Sequence, residues 1–161
     1  MNYLVTGGAG FIGSNICEEL LEQGHKVRIL DNFSSGREEN IASFVNDVEV
    51  MNGDIRDYWT VVRAVKGIDY VLNQAALPSV PRSVDNPLPT NAHNIDGMLN
   101  VLEASRLGGV KKVVTASSSS VYGESEELPK HEKMVPSPLS PYAITKLTNE
   151  YYCRVYWNLY Q

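Results

Sequence analysis

Residues 6–14 read TGGAGFIGS, and a short apolar run, NYLVT (2–6), leads straight into them. The glycines at positions 7, 10 and 13 stand between that strand-like run and a helix-like one. Each has a separate task. Gly7 permits a tight turn, Gly10 lets a pyrophosphate approach the backbone, and Gly13 lets the helix pack close to the sheet. Phosphates would then meet the free N–H groups at the positive end of the helix. Gly7, Gly10, Phe11, Ile12 and Gly13 are therefore candidate dinucleotide contacts. A plain structural turn is the competing reading. Asp31, eighteen residues beyond Gly13 at the end of the second strand, weighs against it. A carboxylate at about that spacing grips a ribose diol. It also repels a 2′-phosphate, which favours NAD over NADP.

Outward from the turn, strand and helix patterns alternate. FIGSNICEELLEQG carries Ile12, Ile16 and Leu20 at helical spacing and ends at Gly24. Further strands are expected at 26–30, 48–52, 69–73 and 111–116. Tyr58, Val61, Val62 and Val65 stripe a short helix, and Ile95, Met98, Leu99 and Leu102 a long one after a proline-rich loop. Near-continuous apolar strands suit a parallel sheet buried on both faces. The expected fold class is thus α/β, a doubly wound parallel sheet of the Rossmann type that stops after about five strands. Asp54 and Ile55, in NGDIRD (52–57), are candidates for holding an adenine, although a turn or helix cap accounts equally well for that aspartate.

Composition removes several classes. With 161 residues, 43% of them apolar, the chain can bury one sizeable core. Its 14 basic and 19 acidic residues give a net charge of −5, and no basic cluster marks a nucleic-acid or anionic-membrane surface. Charges interrupt every apolar run, so no membrane span is expected, and residues 1–6 do not resemble a leader. Cys17 and Cys153 are far apart and read as reduced thiols of a cytoplasmic protein. His25, His93 and His131 share no metal-ligand spacing, so no metal is expected.

TASSSSVYG (115–123) follows the fifth strand, where open α/β sheets bind ligands. About twenty residues later, Ser140 and Pro141 can open a helix. Tyr142 and Lys146 then share one face of it, one turn apart. A free tyrosine, with a pKa of about 10, is a poor base near neutrality. A neighbouring ammonium favours phenolate and suits the phenol for proton transfer. In isolation the pair would be a solvated helix face. After a dinucleotide turn and a serine-rich strand end it reads as a proton-transfer site.

Together, Gly7-x-x-Gly10-x-x-Gly13, Asp31, Asp54-Ile55, NQAA (73–76), the serines at 117–120 and Tyr142-x-x-x-Lys146 resemble an extended short-chain dehydrogenase/reductase of the NAD-dependent epimerase/dehydratase type. The likeness runs the length of the chain. DNFSSG (31–36), AALPSVPRSVDNP (75–87) and NIDG (94–97) resemble the UDP-N-acetylhexosamine 4-epimerases in particular. That resemblance implies cofactor contacts from Asn32, Ser35, Gly36, Ala75, Ala76 and Asn94, with Ser117 near the nicotinamide and Lys146 on its ribose. It implies that Tyr142 removes the proton of a sugar 4-hydroxyl, with Ser118 as hydroxyl partner ahead of Ser119 and Ser120. Ser79, Ser83 and Arg82, in an expected loop at 77–86, offer donors to the substrate, a solvated loop being the even alternative. Asn73 stands where close relatives often carry His.

Related dehydratases carry acids beside the active-site Ser/Thr, and here serines fill those places, with Glu124 the first acid after Tyr-Gly. The expected reaction is therefore NAD-dependent 4-epimerisation of a UDP-hexose through a 4-keto intermediate. N-acetylhexosamine ranks first, glucose/galactose second and glucuronate third. The resemblance also implies a longer enzyme. Residues 1–161 would be its NAD-binding domain, the substrate-binding part would be absent, and the isolated chain would be inactive. Strand five would be an exposed edge. Helices near 86–107 and 141–161 would form a homodimer bundle. The alternative of another class is a non-catalytic module that binds NAD or oligomerises.

Overall fold

The computed structural model describes residues 1–161, which group into two units: Met1–Ala75 with Gly97–Ala116, and Ala76–Asp96 with Ser117–Gln161. The first unit holds the sheet. Its strands are β1 (Asn2–Thr6), β2 (Lys26–Asp31), β3 (Glu49–Asn52), β4 (Tyr70–Asn73) and β5 (Lys112–Thr115), all parallel, in the order β3-β2-β1-β4-β5. The register pairs Thr6 with Leu30 on one side and with Asn73 on the other. The chain steps outward from β1 to β3, then returns to the far side of β1. The carboxyl ends of β1 and β4 are thus the switch point where a crevice opens in such sheets.

Strand alternation builds two cores. Leu4 and Leu30 point to one face and join Val61, Val65 and Val71, together with Val101 of α5 (Gly97–Leu107). Val5 and Ile29 point to the other and join Cys17 and Leu20 of α1 (Phe11–Glu22). Both faces are covered, as continuous apolar strands require. The helix α2 (Tyr58–Ala64) is capped by Asp57, whose carboxylate accepts the Trp59 N–H. Arg28 of β2 donates to the carbonyls of Ala64 and Lys66 at the other end and pairs with Glu49 at 2.7 Å. Strand β5 ends the order, and Val114 on it is exposed.

The second unit is helical: α3 (Val80–Asp85), α4 (Pro87–Asn91), a π-helical stretch Ala92–Asp96, a 3₁₀ turn Ser119–Tyr122 and α6 (Pro141–Tyr160). Its buried residues are mostly polar: Ser83, Thr90, Asn94, Thr145, Lys146 and Asn149, with Val121 and Ala143 among them. Ile144, Val155, Trp157 and Leu159 of α6 are exposed.

Three expectations change. The loop expected at 77–86 is mostly helix, because Ser79 caps α3 by accepting the Arg82 N–H and proline sits in its first turn. The long helix expected from 86 to 107 runs without interruption from Pro87 to Leu107 but carries a π-helical turn, Ala92–Asp96, inside it. Ile12, expected on the core face of α1, is 59% exposed, and Gly13, Ser14, Cys17 and Leu20 take that face instead. No helix is long and apolar enough to cross a membrane.

Candidate functional site

The dinucleotide turn starts where β1 ends. Gly7 has φ +69°, and a Cβ there would lie 2.7 Å from the Ala75 nitrogen, so the loops leaving β1 and β4 touch at a point only glycine allows. A Cβ on Gly13 would run into the Gly7 carbonyl oxygen and lie 2.8 Å from Gly8 Cα. The first N–H of α1 with an internal acceptor is that of Ser14, which reaches the Gly10 carbonyl at 2.9 Å. Those of Phe11, Ile12 and Gly13 precede it and have no acceptor inside the helix. No side chain caps this end, as Gly10 occupies the capping position. Phe11 is 82% exposed.

Asp31 is buried, and its two oxygens accept the N–H groups of Ala9 and Phe33, each at 2.9 Å. A solvated aspartate is thereby excluded. Each oxygen keeps a lone pair, and Gly36 lies close enough that a Cβ on it would come within 3.0 Å of both. Asn40 and Arg37 fix the same turn by donating to the Ala9 carbonyl. These features fit a dinucleotide: a switch point in the strand order, unpartnered amides at a helix start, and an ordered carboxylate beside them.

Other candidates are occupied in ways the sequence did not disclose. Asp54 is gripped by the Arg56 guanidinium at 2.7 Å and by Asn32 at 2.8 Å, and the Arg56 hydrogen bond holds its carboxyl well below the usual range. It does not cap α2; Asp57 does. Ile55 is a core residue packed against Gly97, and its carbonyl accepts from Asn100 at 3.0 Å. Asn32 also accepts the Ser34 N–H, while Ser35 is exposed. Ala75 donates its N–H to Thr6 Oγ1 at 3.3 Å, and Ala76 is half-buried. Asn73, noted above as standing where close relatives often carry His, links β1 and β5: its amide oxygen accepts from Thr6 at 2.5 Å and its nitrogen donates to Thr115 at 3.2 Å.

The second unit carries the hydroxyls, the phenol and the ammonium. Ser140 opens α6 by accepting the Ala143 N–H, and Pro141 begins the first turn. Tyr142 is half-buried, and Lys146 Nζ lies 5.9 Å from the centre of its ring. Lys146 is itself buried, and desolvation pulls its pKa down. Ser118 caps the 3₁₀ turn by accepting from the Ser120 N–H and hydroxyl, at 3.2 and 2.9 Å, which leaves its own proton to donate. Ser119 is exposed, and Ser117 donates to the Glu150 carboxylate on α6. Ser79 holds a left-handed backbone, φ +100°, and Arg82 is exposed. Asn94 is buried with all its side-chain polar atoms engaged by Leu77 and Thr145. No cluster of three or more His, Cys, Asp or Glu residues is placed to hold a metal.

A family model described as the NAD dependent epimerase/dehydratase family matches residues 3–161. The chain belongs to that family. UDP-glucose 4-epimerase of Mycolicibacterium smegmatis is 44% identical to it over 164 residues, covering 99% of the chain and 52% of that protein. Two solved structures resemble it closely. The UDP-glucose 4-epimerase of Thermus thermophilus, in complex with NAD, superimposes with a TM-score of 0.93 at 43% identity. The UDP-N-acetylglucosamine 4-epimerase of Methanobrevibacter ruminantium, in complex with UDP-N-acetylmuramic acid, does so with 0.92 at 41%. Each match covers 99% of this chain, and 52% and 51% of the respective structures. The chain therefore spans about half the length of the relatives it matches. The NAD dependence of the family agrees with the glycine turn and Asp31.

Proposed function

We propose that the protein to which these residues belong interconverts 4-epimers of a UDP-hexose, with NAD as a resident cofactor. The observation that carries this reading is a buried ammonium, Lys146, one helical turn from Tyr142, in a chain whose glycine turn and Asp31 fit a dinucleotide. Bound NAD would supply the hydride acceptor, and then the hydride donor, for the sugar C4. Tyr142 takes the proton of the 4-hydroxyl as hydride leaves, and gives it back when the 4-keto sugar is reduced. Lys146 sets its ammonium against the Tyr142 ring and holds the nicotinamide ribose. Ser118 donates its free proton to the sugar oxygen. Gly7, Gly10, Gly13 and the amides of Phe11 and Ile12 cradle the pyrophosphate, and Asp31 takes the ribose diol.

UDP-N-acetylhexosamine is the first-ranked substrate, UDP-glucose/galactose the second and UDP-glucuronate the third. LPSVPRS (77–83) supports the first choice, and the relatives include enzymes named for each of the first two. Residues 1–161 would supply cofactor binding and proton transfer, and sequence outside them would grip the uridine. A homodimer through the helices near 86–107 and 141–161 belongs to this reading, supported by the exposed apolar side chains of α6. So does a cytoplasmic location, supported by the free thiols of Cys17 and Cys153.

Assay of the whole protein with each UDP-sugar tests the proposal. Turnover should appear with at least one of them, and Tyr142→Phe should abolish it while NAD stays bound. Near-normal turnover in that variant would overturn the role of Tyr142. A second reading is an NAD-binding module without turnover. NAD binding without activity on any UDP-hexose in the whole protein would support it.

A further inference from the structure

Tyr142 is the second residue of α6, so its N–H has no acceptor within the helix. It donates instead to Ser83 Oγ, at 3.0 Å. Ser83 is fully buried, and its own proton goes to the Val80 carbonyl at 2.7 Å, which fixes the hydroxyl. On the other side of Tyr142, its carbonyl accepts from Thr145 Oγ1 at 2.7 Å. Threonines often bond back to a carbonyl in their own helix. Here the same hydroxyl oxygen also accepts from Asn94 Nδ2 at 3.0 Å, across 51 residues of sequence. Asn94 in turn clasps both polar backbone atoms of Leu77, accepting its N–H at 2.7 Å and donating to its carbonyl at 3.2 Å. Asn94 and Thr145 are each 2% exposed, so water does not replace these bonds.

We infer that Ser83 and the Asn94–Thr145 pair are positioning residues for Tyr142, holding its peptide from both sides so that its ring stays in one place relative to Lys146. This rests on the reading of Tyr142 as the proton-transfer residue. The first turn of a helix is where its hydrogen bonds are fewest and fraying begins. A proton-transfer group in that turn needs support from outside the helix, and misplacement by about 1 Å can cost about a hundredfold in rate. The same bonds tie Leu77 and Ser83, at the two ends of a segment proposed to meet the sugar, to the backbone of the residue that reacts with it.

Ser83→Ala, the near-isosteric Thr145→Val and the hydroxyl-keeping Thr145→Ser, made in the whole protein, test the inference. Ser83→Ala should speed hydrogen exchange at the Tyr142 amide and leave that of Ala143, capped by Ser140, unchanged. In protein labelled with 3-fluorotyrosine, the Tyr142 fluorine resonance, identified by its loss in Tyr142→Phe, should move or broaden in Ser83→Ala and Thr145→Val but not in Thr145→Ser. With the UDP-hexose that is turned over, kcat should fall at least about tenfold in the first two variants, with KM and the NAD Kd held within about twofold, and Thr145→Ser should restore it. Unchanged exchange and fluorine signals would overturn the inference. So would altered signals with unchanged kcat in an enzyme that Tyr142→Phe inactivates. If no UDP-hexose is turned over, the functional reading fails by itself, and the exchange and fluorine measurements still decide whether the network orders Tyr142.

Discussion

Lys146 separates what stability asks of a residue from what chemistry asks. Burial lowers its pKa because the charged form loses water. The unfolded chain, where lysine titrates near about 10.4, then binds more protons than the folded one between the two pKa values. The penalty is therefore fully present below the folded pKa and is relieved as pH rises through it. Lys146→Met should abolish turnover and, by relieving this desolvation, give a gain in melting temperature near pH 7. Calorimetry should also show the gain shrinking as pH approaches about 10; a large loss of stability would contradict this account. Gly13 poses the opposite case. A methyl group there meets the Gly7 carbonyl, which is backbone and cannot swing away. Gly13→Ala should cost about 1–3 kcal/mol in urea unfolding and weaken NAD binding measured by titration calorimetry.

Among the elements, α6 depends on its first residues. Ser140 accepts the Ala143 N–H, and its loss should cost about 1 kcal/mol in Ser140→Ala. Because Tyr142 lies in that turn, kcat should fall in the same variant more than the global stability loss explains, as paired denaturation and steady-state kinetics would show. This helix start was legible in Ser140-Pro141, and the dinucleotide turn in Gly7, Gly10 and Gly13, because their signals are local and each glycine answers to its own steric need. The helix α3 was not legible. Its six residues are too few to display a period, and its cap, Ser79, takes a φ of +100° that composition gives no hint of. Ile12 misled for a related reason: its spacing fits the stripe, yet it sits in the first turn of α1, where Gly13 and Ser14 make the close approach.

Across the molecule, acidic groups set the response to low pH. Asp54 is held below its ordinary range chiefly by the Arg56 hydrogen bond, Asp57 by Thr60 and Asp69 by Lys111. Each folded pKa is depressed, so the stability it contributes is present above about pH 4 and is lost as pH falls through the folded value. Urea midpoints should stay level from about pH 7 to 5 and drop below about 4, with a smaller drop in Asp69→Asn. At this scale the sequence conveyed the sheet, the glycine turn and the start of the helix that carries Tyr142 and Lys146. It could not convey the partners of Asn94, which are 17 and 51 residues away, or those of Asn73 on neighbouring strands. Such pairings exist only after the chain has folded back on itself.

That distance also sets an order in time. The turn at 6–14 and Asp31 lie within the first strand–helix–strand passage and can form as soon as it has been made. Leu77 can reach Asn94 across 17 residues, once α3 and α4 between them have formed. The bonds from Ser83 to Tyr142 and from Asn94 to Thr145 close over 59 and 51 residues, and must wait for α6. A chain growing from its amino terminus would complete its dinucleotide turn first and seat its tyrosine last.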